Sequence, residues 1–130
     1  MTKKEFLQLT GEGVLLLDGA TGSGLRKKGM PVGVCAEQWN LEHPEVIDSL
    51  QRAYVEAGSQ ILYAPTFSAN RISLKLFGLQ DRVEELNTRL VELSKKAAAG
   101  RALVAGDLTT TGKVLGPEGE VKSDRSHVVL

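Results

Sequence analysis

The chain has 130 residues, 42% of them hydrophobic, with 16 Lys plus Arg set against 16 Asp plus Glu. That length and apolar content suit one domain with one core, and the balanced charge offers no basic field to nucleic acid or to an acidic membrane surface. No apolar run approaches the roughly 20 residues of a membrane span, the opening MTKKEFLQLTGEG lacks the apolar stretch of a signal peptide, and a cytoplasmic protein is expected.

After a polar lead-in, Val14-Leu15-Leu16-Leu17 is a short apolar run stopped by Asp18-Gly19, the pattern of a strand buried on both faces. A long loop follows. The segment 44–58 has Pro44 at a first helical position, apolar residues at 46, 47, 50, 54 and 57, and Gly58 as a C′ stop, which predicts a helix. Residues 60–64 form the next strand, ended by Pro65, which cannot donate to a sheet ladder. A short helix is predicted over 69–77. The segment from Asp81, read as an N-cap, carries Val83, Leu86, Leu90, Leu93 and Ala97 along one stripe and closes at Gly100. Residues 102–107 repeat the apolar run with a Gly-Asp stop. The order calls for α/β architecture with a parallel sheet: about three strands and two crossover helices. That count fits the N-terminal part of an eight-fold barrel or the start of a doubly wound sheet, so the domain is expected to be incomplete.

The glycines after the first run do not make a nucleotide loop. The G-x-G-x-x-G register starting at Gly22 fails at Lys27, and the Walker spacing of Gly24 and Gly29 places Met30 where lysine belongs. Asp18, at the carboxyl end of a strand, repels phosphate and favours an ammonium or a hydroxyl. The competing reading is a tight turn in which Asp18 caps local amides. Two further strand ends carry polar groups, Thr66, Ser68 and Asn70 after the second and Asp107 with three threonines after the third. In a parallel domain these loops leave from one face and converge, which favours a small-molecule site. Cys35, the single cysteine, excludes an internal disulfide and a Cys-rich metal site built from this chain alone, and it reads as a packed or exposed bystander rather than a nucleophile. His43, before Pro44, reads as a helix cap rather than a base, and Trp39 as packing for the long loop, with substrate stacking as the minor alternative. Pro117 and His127 lie in a polar tail.

LLLDGATGSGLRKKG, WNLEHPEVIDSLQRAYVEAGSQIL, TFSANRISLKLFGL and GDLTTTGKV, in this order and spacing, resemble the start of the homocysteine methyltransferase domain. The pattern is nearest to the N-terminal barrels of cobalamin-dependent methionine synthases and covers about residues 12 to 120, leaving 121–130 as an atypical tail. The resemblance implies a (β/α)₈ TIM barrel that binds homocysteine at the carboxyl ends of its strands. It also implies a thiolate-ligated zinc that activates the substrate sulfur, since metal ligation deprotonates a thiol at neutral pH. Methylcobalamin on another domain, or a corrinoid-binding protein, is the implied methyl donor. Asp18, Gly19 and Ala20 match the family's first-strand substrate loop, and Thr66 and Phe67 the second. The family's zinc ligands are cysteines of late strands, including a Gly-Gly-Cys-Cys motif that this chain lacks; Cys35 matches none of them, so no residue here is assigned to metal.

The chain departs from methionine synthases at Ala64-Pro65, where they read Thr-Asn, and at Gly106-Asp107-Leu108-Thr109-Thr110, where they read Gly-Ser-Ile-Gly-Pro. A corrinoid-linked methyltransferase with another acceptor is therefore a second reading, and a non-catalytic half-barrel that serves binding or assembly is a third. An isolated piece with three strands is expected to be inactive and to self-associate through its open sheet edge.

Overall fold

The computed structural model describes residues 1–113. The expectations placed on the tail 121–130, Pro117 and His127 lie outside them. Along the chain come helices α1 (Lys3–Gly11), α2 (Thr21–Lys27), α3 (Ala36–Glu42) and α4 (Pro44–Glu56), strand β1 (Ile61–Tyr63), helices α5 (Arg71–Lys75) and α6 (Val83–Ala98), and strand β2 (Leu103–Ala105). The architecture is mixed α/β around a small open parallel sheet. β1 and β2 pair with Ile61 beside Leu103, Leu62 beside Val104 and Tyr63 beside Ala105.

The expected first strand is reduced to one parallel bridge, Leu17 to Ile61. The Leu16 carbonyl accepts from both Gln60 N and Ile61 N, while Leu16 N is taken by the Gln60 side chain instead of a main-chain carbonyl, so the ladder does not extend toward Val14. The expected burial on both faces is also corrected. Val14 is 87% exposed and Leu17 48%, because no described element packs over the run. Even so, the bridge puts residue 17 on the opposite side of β1 from β2, so three parallel segments lie side by side in chain order.

The two crossover helices form as the apolar spacing predicts. α4 buries Ile47, Gln51 and Val55, and ends in Ala57 followed by Gly58, whose φ of 105° is the left-handed geometry a C′ glycine supplies. α6 buries Leu86, Leu90, Ser94, Ala97 and Ala98. Its N-cap position falls on Arg82, not Asp81, since the Asp81 carboxylate is occupied by Arg71 and Gln80. His43 stands at the N-cap of α4 without a side-chain capping bond; its ring lies 4.5 Å from the Trp39 ring instead.

Three helices appear where the sequence suggested lead-in and loop. α1 is closed by a capping box, Thr2 Oγ1 accepting from Glu5 N and Thr2 N donating to the Glu5 carboxylate, yet it buries no residue. α2 and α3 occupy much of the long first loop. They pack against α4 through the cluster of Leu25, Met30 and Ile47, with Trp39 and Leu50 at its margin. A second cluster joins Cys35 at the start of α3 to Leu74, Leu86 and Leu90, and a third joins Val55, Leu62 and Ala98 beneath the sheet.

Two glycines of the glycine-rich loop lie close against α4. A methyl group on Gly19 would lie 2.8 Å from Tyr54 Cε1, and one on Gly24 would lie 2.9 Å from Leu50 Cδ2. Neither glycine has a positive φ. An added methyl at either position would press on the side-chain ends of α4, while Gly22 meets nothing within 4 Å.

Candidate functional site

Because the three segments run parallel, the loops after Leu17, Tyr63 and Ala105 emerge from one end of the sheet. Side chains then tie them together. Asp18 reaches across and accepts from Tyr63 N at 3.1 Å. The Tyr63 carbonyl accepts from Gln51 Nε2 at 3.0 Å, and the same amide donates to Ser94 Oγ in the interior between α4 and α6. Thr66 Oγ1 donates to the Asp107 carbonyl and accepts from Asp107 N, both at 3.0 Å. From the other side, Glu37 Oε1 accepts from Ser68 N at 2.8 Å, and Glu37 Oε2 accepts from Cys35 Sγ at 3.4 Å.

These loops enclose a cavity of about 400 Å³. Asp18, Gly19 and Gly22 line it from the first loop, Phe67 and Ser68 from the second, Asp107 from the third, and Glu37 and Asn40 from α3. Leu25, Met30 and Ala36 give it an apolar wall. Among its described lining residues there are three carboxylates and no lysine, arginine or histidine. A cavity so lined suits a small ligand with a cationic or hydrogen-bond-donating end and an apolar body. Burial pushes the Asp18 carboxyl above its ordinary value against the opposing pull of the Tyr63 amide, with the neighbouring Asp107 charge adding a smaller upward push. Burial likewise raises the Cys35 thiol, and the adjacent Glu37 carboxylate adds to that effect. A thiol held protonated is a poor nucleophile and a poor metal ligand.

Of the residues singled out in the sequence, Asp18, Gly19, Phe67, Ser68 and Asp107 line the cavity, Phe67 being 57% exposed. Ala20 and Thr66 do not line it. The Ala20 carbonyl accepts from Tyr54 Oη at 3.2 Å, and Thr66 is 5% exposed with its hydroxyl spent on Asp107. Glu37 and Asn40 are the residues that sequence reasoning passed over. They sit three apart, which puts them on one face of a helix, but α3 was read as loop and that spacing carried no meaning there.

The Thr66 clamp carries a measurable cost. Thr66→Val keeps the side-chain volume but strands the Asp107 N–H and carbonyl, and we expect a loss of about 1–3 kcal/mol in chemical denaturation. Thr66→Ser, which keeps the hydroxyl, should recover most of that loss.

The structure is a parallel α/β unit with a cavity at the carboxyl ends of its strands, the place where open α/β folds form ligand crevices. The chain belongs to the homocysteine S-methyltransferase family, whose profile matches residues 15–129. It is 29% identical over 127 residues to betaine–homocysteine S-methyltransferase 1 of Mus musculus, covering 92% of this chain and 31% of that protein. It is 27% identical over 112 residues to methionine synthase of Mycobacterium leprae, covering 82% of this chain and 9% of that enzyme. Among solved structures, the metallated form of the homocysteine methyltransferase MmuM from Escherichia coli superposes with a TM-score of 0.67 at 25% identity, covering 81% of this chain and 41% of that one. The chain thus spans about a third or less of the curated relatives named here.

A thiolate-held zinc does not fit the donors present. The sequence has one cysteine, which is buried and bonded to Glu37, and among the described residues no group of three or more His, Cys, Asp or Glu side chains is placed to hold a metal ion.

Proposed function

We propose that the chain forms the first part of a (β/α)₈ barrel and supplies the amino-acid-binding half of a homocysteine S-methyltransferase of methionine synthase type. The observation that carries this reading is the convergence of three strand-end loops on one acidic cavity. In it the Asp18 carboxylate takes the substrate ammonium, while the apolar wall of Leu25, Met30 and Ala36 receives the methylene chain. The residues of this chain bind and orient the amino acid; activation of its sulfur lies outside their donor set. A methyl-corrinoid borne on another domain or protein is the donor in this reading. The departures at Ala64-Pro65 and Gly106-Asp107 favour a second acceptor as the alternative within the same chemistry.

Titration of the isotope-labelled chain with homocysteine, followed by amide shifts, tests the reading. Saturable shifts confined to the loops at Asp18, Phe67–Ser68 and Asp107 are expected, with cysteine binding more weakly. Absence of saturable shifts at millimolar homocysteine would overturn it.

A further inference from the structure

We infer that Asn40 is a ligand-holding residue of this cavity, its carboxamide oxygen accepting a hydrogen bond from the ligand's ammonium group beside Asp18. The inference rests on the homocysteine reading above and adds to it a group on α3.

Asn40 lines the cavity and is 1% exposed, and its Oδ1 is buried without a hydrogen-bond partner. Leaving such an atom unpaired costs about 1–3 kcal/mol, which folding alone gives no reason to retain. Five described side chains have an unpartnered buried polar atom. Four of them use their other polar atom: Asp48 with Arg52, Gln51 with Tyr63 and Ser94, Asn70 with Ser73, and Gln80 with Asp81. The Asn40 carboxamide makes no hydrogen bond of its own among the described residues. An amide with neither end engaged, at the wall of an open cavity, is poised for something that enters the cavity.

The surroundings indicate what enters. Glu37, one turn earlier, already spends both oxygens on Ser68 and Cys35. That leaves the Asp18 and Asp107 carboxylates and the Asn40 amide on the cavity wall, and a primary ammonium has three N–H bonds to distribute among them. A neutral acceptor also suits the place. A further carboxylate would push the Asp18 carboxyl higher still, whereas an amide adds an acceptor without adding charge. The terminal torsion of asparagine is broad, so the oxygen can turn toward the cavity without leaving a rotamer well.

Asn40→Leu keeps the volume and removes both polar atoms. A residue of purely structural value would lose stability on this change. An unsatisfied one should keep its thermal midpoint or gain on it, because an unpaired buried group has been removed. The decisive readout is binding of homocysteine against 4-mercaptobutanoate, which lacks the amino group, by shift titration of the wild-type chain and the variant. We expect Asn40→Leu to weaken homocysteine about tenfold, the effect of one hydrogen bond to a charged group, and to leave 4-mercaptobutanoate nearly unchanged. Equal loss for both ligands, or no loss for either, would overturn the assignment of Asn40 while the wild-type affinity for homocysteine leaves the proposed function standing. No homocysteine binding by the wild type would overturn both.

Discussion

Leu90→Ala is expected to lower the stability of the chain by about 2–5 kcal/mol, the range for truncating a fully enclosed leucine. Leu90 is 0% exposed and packs with Cys35, Leu74 and Leu86, so the cavity left behind is walled by α5, α6 and the cap of α3. Walls drawn from separate elements cannot all move inward without breaking their other contacts, which places the loss toward the upper part of the range. Urea or guanidinium denaturation should show a lower midpoint with an unchanged slope. Leu76→Ala is the control: Leu76 is 82% exposed, and the change should stay within about 0.5 kcal/mol. A small effect at Leu90 would mean that α6 does not dock against α3 as described.

Asp18→Asn should separate binding from folding. The substitution keeps an acceptor for Tyr63 N but removes the charge, and a lost charge-assisted bond of about 1.5–3 kcal/mol corresponds to roughly 10- to 150-fold weaker homocysteine binding. Stability at neutral pH should not fall. The folded-state pKa of Asp18 lies above its ordinary 3.8, so the folded protein holds this proton more tightly than the unfolded chain. Asp18 therefore favours the fold while protonated, and that contribution is lost as pH rises from 3.8 through the raised value. Asparagine, which never ionises, is free of that loss. Binding runs the other way. An ammonium requires the carboxylate, so homocysteine affinity in the wild type should strengthen as pH rises through the same window, and the variant should be flat across it. Calorimetric titrations at several pH values check both statements, and an unchanged affinity with a lower melting temperature would return Asp18 to a structural role.

The parts of the fold legible in the sequence are those whose signal is periodic and long. α4 and α6 repeat apolar residues at helical spacing, and of the positions so read Ile47, Leu86, Leu90 and Ala97 are buried, whereas Ala57 is exposed and Val55, not among them, is buried. The run at 14–17 shows the limit of such signals. Four apolar residues state that a segment can be buried, but not which element covers it, and here Gln60 ends the ladder at Leu16. α2 was hidden by Gly22 and Gly24, each of which lowers helix propensity by about 1 kcal/mol relative to alanine. α3 was hidden because Cys35 supplies no capping bond. Gly19 and Gly24 lie close against Tyr54 and Leu50, residues some 30 positions away, and local pattern contains no such distance.

At the site, the convergence of the strand ends could be read from chain order, since parallel strands separated by crossovers deliver their carboxyl ends to one face. Asp18 and Phe67 line the cavity for that reason. Within a loop, however, the direction of each side chain depends on its neighbours. Thr66 turns to Asp107, and Ala20 offers its carbonyl to Tyr54. Glu37 and Asn40 depended on a helix that had no sequence signal of its own.

The Thr66 hydroxyl both gives and receives a bond on the backbone of Asp107, so the second and third loops share one rotor and hold their relative shape before any ligand arrives. Ligand capture then demands little ordering of these loops, and the entropic cost that a floppy rim would impose is already met in folding. Under the proposed function, the kinetic consequence is an entry rate governed by diffusion through a standing opening, with selectivity among amino acids expressed in how long each one stays.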